Sequence, residues 1–275
     1  MKLLILVAAS IACTILATPL MKSLVRLNSL MRPNFRGDEI PAGFGYLLVL
    51  SSFPVYFLAL TCWPVSFQQT WTFLLGVQVF GALGLLDDIY GSRTTGGFKG
   101  HFTQLARGKI TTGAIKAIGG GLTALYLGLV AADFDPIIGI LNGLVIALAA
   151  NLLNLLDLRP GRAVSCYWLL LLALILSKLG KPWAWAWWTI IPVIPTAIWL
   201  TYLDRRAKVM LGDAGSNALG VVLGLAFAWN LGTAAKLVVL AILVGVHLYS
   251  EKYSISRLID SHPVLRRIDH RLGER

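Results

Sequence analysis

The sequence predicts an all-α fold: a polytopic membrane helix bundle that forms one integral-membrane domain over residues 1–275. Of its residues, 57% are hydrophobic and only 13% are charged. A soluble domain has no means of burying so much apolar surface, because its outside must face water. Apolar stretches close to the length of a bilayer-spanning helix recur along the whole chain. They predict about nine transmembrane helices, at residues 3–20, 43–61, 70–86, 114–132, 136–156, 164–180, 184–202, 216–230 and 233–250.

The basic residues predict the orientation of these helices. With the N-terminus outside and the C-terminus cytoplasmic, twenty of the 24 Lys and Arg residues fall on the cytoplasmic side. Such an excess of basic residues is typical of cytoplasmic loops. The sequence therefore predicts a multi-pass protein of the cell membrane. The same asymmetry explains most of the net charge of +11, and no nucleic-acid partner is predicted.

The acidic residues lie mainly on the same side, and four of them predict an active site there. Asp87, Asp88, Asp157 and Asp213 each lie at or beside the predicted cytoplasmic end of one of three different helices. Carboxylates gathered at one membrane depth repel one another. Their natural compensation is a divalent cation together with nearby Lys and Arg side chains.

The adjacent acids in "GALGLLDDIYG" (81–91) have two interpretations. Neighbours on a helix point about 100° apart. Asp87 and Asp88 can therefore serve different tasks, one facing a cavity between helices and the other holding a neighbouring helix or a basic side chain. The alternative is a hydrophilic end to a spanning helix, solvated by lipid headgroups.

The segment "NLLNLLDLRPGR" (151–162) predicts a ligand site. Asn151, Asn154 and Asp157 follow one another at intervals of three and so share one side of a helix. Such side chains are costly on an apolar helix unless a polar group meets them. Arg159 follows directly, and its positive charge favours a bound ligand as the polar partner. The alternative is that these side chains form hydrogen bonds to neighbouring helices.

The segment "MLGDAGSNALG" (210–220) predicts an anion and metal site where a helix opens near Ser216. Gly212 allows the backbone to approach a ligand closely, and a helix N-terminus favours anions. Asp213 offers oxygen to a hard cation such as Mg²⁺. The alternative is that Asp213 caps its own helix.

Two lysines in "GKITTGAIK" (108–116) lie on one side of a predicted helix. Lys109 and Lys116 are seven residues apart, and about two helical turns separate them. They can extend to the membrane surface as solvated side chains, or they can hold the phosphate of an anionic lipid.

In this order, these motifs resemble the polyprenyl-phosphate N-acetylhexosamine-1-phosphate transferase superfamily, which includes the phospho-N-acetylmuramoyl-pentapeptide transferase. The resemblance begins at "RPNFRGDEIPAGFG" (32–45) and covers nearly the whole chain. It implies transfer of a phospho-N-acetylhexosamine from a UDP-linked amino sugar to a polyprenyl phosphate lipid, with release of UMP at the cytoplasmic membrane face. It also implies Mg²⁺ as the cofactor, with Mn²⁺ as the alternative.

The resemblance also implies roles for individual residues. Asp87, Asp88, Asp157 and Asp213 are the expected catalytic residues, and Asp213 with Asp88 the expected metal ligands. The expected substrate-binding residues are Arg36, Lys99, His101, Lys109, Lys116, Asn151, Asn154, Arg159, Gly212, Ser216, His270 and Arg271.

The chain also departs from the family pattern. Where the family continues as Asp-Gly-x-Asp-Gly, residues 157–161 read Asp-Leu-Arg-Pro-Gly, so that Pro160 replaces the second acid. The family's multi-histidine motif is reduced to His262 and the pair His270–Arg271. These departures leave open a non-catalytic relative that binds lipid phosphate or nucleotide sugar and regulates or scaffolds envelope synthesis. A transporter ranks last because the sequence shows no internal repeat, and a homodimer is compatible with the apolar surface.

Overall fold

The computed structural model describes residues 2–28, 30–62, 66–91, 111–179 and 187–274. The helices, in chain order, are α1 (Lys2–Leu27), α2 (Leu47–Cys62), α3 (Phe67–Tyr90), α4 (Thr112–Val130), α5 (Pro136–Leu156), α6 (Arg162–Ser177), α7 (Trp187–Ile190), α8 (Ile194–Arg205), α9 (Gly212–Asn230), α10 (Thr233–Lys252), α11 (Ile255–Ser261) and α12 (Pro263–Leu272). Two short antiparallel strands, β1 (Met31–Pro33) and β2 (Glu39–Pro41), and a 3-10 turn (Phe44–Tyr46) lie between α1 and α2.

The structure confirms an all-α membrane helix bundle. Each of the nine predicted segments contains a helix, and the seventh is divided between α7 and α8. Within the described ranges, six helices are long and apolar enough to cross a membrane: α1, α2 with its preceding turn, α3, α4, α5 and α10. The number of spans and their orientation stay predictions.

Two regions predicted as loops contain regular structure. The hairpin of β1 and β2 occupies the predicted loop after α1, and α11 and α12 form in the cytoplasmic tail predicted after the last span. All four elements are short, so hydrophobic period alone does not reveal them.

The centre of the bundle is α9, which packs between α3 and α5. Every residue from Ala214 to Ala228 is buried. Its glycines allow this position, because a Cβ at Gly220 would lie 2.4 Å from the Ala150 Cα, and one at Gly224 would lie 2.6 Å from the Ile146 Cα. Small residues of this kind bring helix backbones into direct contact in membrane bundles.

Hydroxyl groups join α1, α2 and α8 inside the apolar interior. The Thr196 hydroxyl lies 2.6 Å from the Thr14 hydroxyl and 2.7 Å from the Ser51 hydroxyl. Ser10 donates to the Pro192 carbonyl over 2.8 Å. Such bonds satisfy polar groups that lipid cannot solvate.

A buried ion pair attaches α12 to the start of α6. The Arg162 guanidinium donates to both carboxylate oxygens of Asp269, over 2.6 and 2.9 Å, and to the Ser256 hydroxyl over 2.8 Å. Both charged side chains are almost fully buried. Removing one partner of such a pair leaves an uncompensated buried charge, so the contact fixes where the C-terminal segment lies.

Gly220→Ala tests the contact of α9 with α5. We expect it to lower the free energy of unfolding by about 1–3 kcal/mol, because the added methyl group overpacks the helix interface. Gly245→Ala on α10 is the matched control, since no described atom lies within 4 Å of the added Cβ. Thermal unfolding in one detergent compares them, and equal midpoints for both variants would contradict this account of α9.

Candidate active site

Side chains from four helices meet at the predicted cytoplasmic end of the bundle. Asp87 and Asp88 come from the last turn of α3, Lys116 from the start of α4, Asn154 from the end of α5 and Asp213 from the first turn of α9. Hydrogen bonds and ion pairs join them into one cluster. The structure thus brings together the three separated acidic motifs of the sequence.

Asp88 provides the acceptors at the N-terminus of α9. Its two carboxylate oxygens accept the backbone N–H groups of Asp213, over 2.9 Å, and Ala214, over 3.0 Å. The residue that precedes the helix, Leu211, makes no side-chain cap of its own. A helix start has backbone N–H groups without partners inside the helix, and a neighbouring helix satisfies two of them here.

This contact corrects two sequence-based interpretations. The helix begins at Gly212 rather than near Ser216, because the Asp88 carboxylate stabilises the earlier turn. Asp213 does not cap its own helix, so its side chain is available to other partners. The Ser216 hydroxyl, predicted to bind substrate, is buried and donates to the Gly212 carbonyl over 2.9 Å.

Glycines make this close contact possible. Gly212 has φ +72°, and a Cβ there would lie 2.8 Å from an Asp88 oxygen. A Cβ at Gly84, one turn before Asp88, would lie 2.3 Å from the Asp213 carbonyl oxygen. The glycines of "GALGLLDD" and "MLGDAG" therefore allow α3 and α9 to touch along their backbones.

The segment before α2 supports the same turn of α9. Pro41 accepts the Met210 N–H over 2.7 Å, while the Phe44 and Gly45 N–H groups donate to the carbonyls of Met210, over 3.0 Å, and Leu211, over 2.9 Å. These hydrogen bonds hold the glycine-containing motif 41–45 next to the start of α9, although about 165 residues separate the two in the sequence.

The Asp213 carboxylate is the centre of the cluster. One of its oxygens accepts the Asn154 amide over 3.0 Å and pairs with the Lys116 ammonium. The same ammonium lies 3.8 Å from an Asp87 oxygen. Lys116 therefore places a positive charge between two partly buried carboxylates, which is the position where a cation relieves their repulsion.

Asp157 ends α5 beside this cluster, and it accepts the Gly212 N–H. Burial raises the pKa of Asp157 well above its usual range. The nearby carboxylates of Asp204, Asp213 and Asp88 raise this pKa further, because each disfavours another negative charge. The excess of negative charge that a cation would neutralise therefore extends from the start of α9 to the end of α5.

Asp204 is a residue that the sequence analysis missed. It is buried at the end of α8 and accepts the Gly161 N–H over 2.7 Å. Gly161 has φ +84° and lies in the turn that follows Asp157. The only signal in the sequence is one acid immediately before the basic residues Arg205, Arg206 and Lys208.

Several predicted substrate-binding residues lie outside the contacts of this cluster. Arg159 pairs with Asp260 over 3.3 Å, and Arg36 pairs with Glu274 over 2.6 Å. Asn151 lies partly buried on α5, one turn before Asn154. His270 and Arg271 are exposed near the end of α12. Lys99, His101 and Lys109 lie outside the described residues.

Asp88→Asn and Asp87→Asn test the division of tasks between the adjacent acids. Asp88→Asn replaces one acceptor by an amide donor that faces an N–H group. We expect it to lower the free energy of unfolding by about 1–3 kcal/mol. Asp87→Asn removes one of several clustered negative charges, and we expect a change within about 0.5 kcal/mol. Thermal unfolding without substrate measures both, and equal destabilisation would rule out the capping role.

A search among curated proteins found no match. The model of the family described as glycosyl transferase family 4 matches residues 70–231, a range that contains Asp87, Asp88, Asn154, Asp157 and Asp213. This match covers more than half of the chain and confirms the resemblance drawn from the motifs. The protein therefore belongs to glycosyl transferase family 4, membrane enzymes that transfer a glycosyl-1-phosphate to a polyprenyl phosphate.

Proposed function

We propose that this protein transfers a phospho-N-acetylhexosamine from a UDP-sugar to a polyprenyl phosphate at the cytoplasmic face of the membrane, and releases UMP. The observation that carries this proposal is the position of Asp213. Its carboxylate, on the first turn of the buried helix α9, meets Lys116 of α4 and Asn154 of α5 beside Asp87. Family membership supports the reaction class, and the cluster supplies the chemistry for it.

Two phosphorylated substrates must meet in this reaction. A phosphate oxygen of the lipid attacks the sugar-bound phosphorus, and the bond from that phosphorus to the oxygen of UMP breaks. Charge on the transferring phosphoryl group must be stabilised by cations fixed in position. Lys116 lies at the cluster and supplies one such cation.

The cluster also fits a hard divalent cation. Among the described residues, no group of three acidic, His or Cys side chains forms a ready-made cage. This suits Mg²⁺, which typically takes one or two carboxylates and completes its shell with water and phosphate oxygens. Asp213 and Asp87 would hold it, because their oxygens already flank the positive charge of Lys116. Mn²⁺ accepts the same oxygen ligands. When bound, the metal polarises the phosphoryl oxygens.

The two carboxylates of α3 have separate tasks in this proposal. Asp88 is a positioning residue, since both its oxygens hold the first turn of α9. Its predicted role as a metal ligand stays open, because each oxygen retains a second lone pair. Asp87 does not hold the start of α9 in this way. It lies within hydrogen-bond reach of the Thr112 hydroxyl. With the cation that it would share with Asp213, it is placed to orient the lipid phosphate.

Asn154 and Asp157 address the nucleotide in this proposal. Both lie at the end of α5, and the Asn154 amide donates to the same Asp213 oxygen that pairs with Lys116. Carboxylate and amide groups recognise the N–H and hydroxyl groups of a uridine. The acceptor's isoprenoid tail stays in lipid, so a site at the ends of spanning helices lets both substrates reach it.

UMP release tests the proposed reaction. Purified protein, Mg²⁺ and undecaprenyl phosphate are incubated with a panel of UDP-N-acetylhexosamines. We expect UMP from at least one donor, with strict dependence on the lipid and loss on chelation by EDTA. Asp213→Asn should reduce release to the background without enzyme. Glu251→Gln is the matched control, because it removes one exposed negative charge from α10 on the same predicted side.

Retained nucleotide binding without UMP release from any donor would contradict the transferase and support the non-catalytic alternative. One observation favours that alternative. Pro160 stands where the resemblance places a second acid, and the neighbouring Arg159 pairs with Asp260 of α11. The homodimer also stays a prediction, which the oligomeric state of the same purified sample measures.

Lys116→Met tests the fixed cation. We expect kcat/KM for UMP release to fall by about 10²- to 10³-fold, the usual effect of removing one group that stabilises transition-state charge. Lys116→Arg keeps the charge and should lose less. If Lys116→Met retains full activity at saturating Mg²⁺, Lys116 is only a structural partner of Asp213.

A further inference from the structure

A groove separate from the acidic cluster lies between α8 and α12. It encloses about 780 Å³. Its walls carry apolar and aromatic side chains from α8 and basic side chains from both helices: Ile198, Tyr202, Arg205, Arg206, His270 and Arg271. The lining residues include none of the four carboxylates that the sequence predicts as catalytic.

The groove changes from apolar to basic along α8. Ile198 and Tyr202 are exposed side chains one turn apart, and Trp199 stacks on Tyr202 with 5.5 Å between ring centroids. Arg205 and Arg206 follow at the helix end. Exposed apolar and aromatic residues next to basic residues are typical of a helix that leaves the acyl region at the headgroup level.

Aromatic and carbonyl contacts hold the arginines in place. The Arg206 guanidinium lies 4.2 Å from the centroid of the Tyr202 ring and donates to the Tyr202 hydroxyl over 2.6 Å. Arg205 donates to the Arg271 carbonyl over 2.7 Å. Because a guanidinium has five N–H donors, each retains donors for a further acceptor. The acidic member of the groove, Glu274, already pairs with Arg36, so the groove is net positive.

The opposite wall, α12, has the character of a helix that lies in a membrane surface. Its exposed apolar side chains Val264, Leu265 and Ile268 share one side. Arg266 and Arg267 occupy the other side, while Asp269 is buried against Arg162. An apolar side next to a basic side is the pattern of interfacial helices. The ion pair holds this helix against the start of α6, and the groove lies between it and α8.

We propose that this groove binds the headgroup phosphate of an anionic glycerophospholipid of the cytoplasmic leaflet, with the acyl chains along Ile198 and Tyr202. Basic pockets between helices on the cytoplasmic side are typical sites for such headgroups. The family resemblance counts His270 and Arg271 among the substrate-binding residues. The apolar wall favours a lipid over a sugar nucleotide, because a nucleotide has no acyl chain to cover that wall. The site is additional to the proposed transferase reaction and does not depend on it.

Native mass spectrometry of the delipidated full-length protein in neutral detergent tests this proposal. Dioleoyl phosphatidylglycerol and dioleoyl phosphatidylcholine are titrated in parallel. We expect one phosphatidylglycerol to be retained at a concentration at least about tenfold below that needed for phosphatidylcholine. Arg205→Gln, Arg206→Gln and Arg271→Gln together should remove this preference. The matched control is Lys22→Gln, Arg26→Gln and Lys252→Gln, which removes equal charge from exposed positions on the same predicted side.

A second variant separates binding from folding. Ile198→Ser keeps every arginine and places a small uncharged polar side chain on the apolar wall, so it should weaken phosphatidylglycerol binding while its unfolding midpoint stays near that of the wild type. Millimolar UDP-N-acetylglucosamine and inorganic phosphate are added as competitors, and neither should displace the lipid. Displacement by the nucleotide sugar would identify a nucleotide subsite, and displacement by inorganic phosphate would identify a simple anion site. Either result overturns the proposal. Equal binding of the two lipids, or an unchanged preference in the triple arginine variant, also overturns it.

Discussion

The contact between the Asp88 carboxylate and the first turn of α9 is the interaction on which the cluster depends. A helix buried on every side must find acceptors for its first N–H groups, because neither lipid nor packed side chains provide them. Asp88 supplies two such acceptors from the end of α3. The turn that it holds also carries Asp213, so one contact satisfies the helix end and directs the Asp213 side chain toward Lys116 and Asn154.

The same arrangement concentrates negative charge beyond what one lysine can neutralise. Asp87, Asp88, Asp157 and Asp213 lie around the start of α9, and Lys116 contacts two of them. The raised pKa of Asp157 reports this excess, since burial and its acidic neighbours both oppose its ionisation. A site of this kind favours the arrival of cations. In the proposed reaction, a divalent ion that accompanies the phosphorylated substrate would bring the positive charge that the cluster lacks.

The sequence predicts the helices and the convergence of the acids because both follow from constraints that a lipid bilayer places on a membrane protein. Apolar length marks each span, and the one-sided distribution of charge places the acidic motifs at one end of the bundle. What it does not predict are contacts between distant segments. The cap that Asp88 provides, the Asp204 contact with Gly161 and the Arg162–Asp269 pair each join residues more than 40 positions apart. A periodic pattern carries no information on such partners, which is also why α11, α12 and the early start of α9 were missed.

These distant contacts give a physical reason for the departure from the family pattern at Pro160. The turn after Asp157 is held on both sides. Arg159 pairs with Asp260 of α11, and the Gly161 N–H donates to Asp204 of α8. Gly161 also lies against the Leu272 carbonyl of α12, since a Cβ there would approach it to 2.1 Å. A second acid in this turn would add to the charge that already opposes ionisation of Asp157. The turn instead carries the basic residue Arg159, which pairs with Asp260 of α11, so the altered motif and the C-terminal helices form one connected structure.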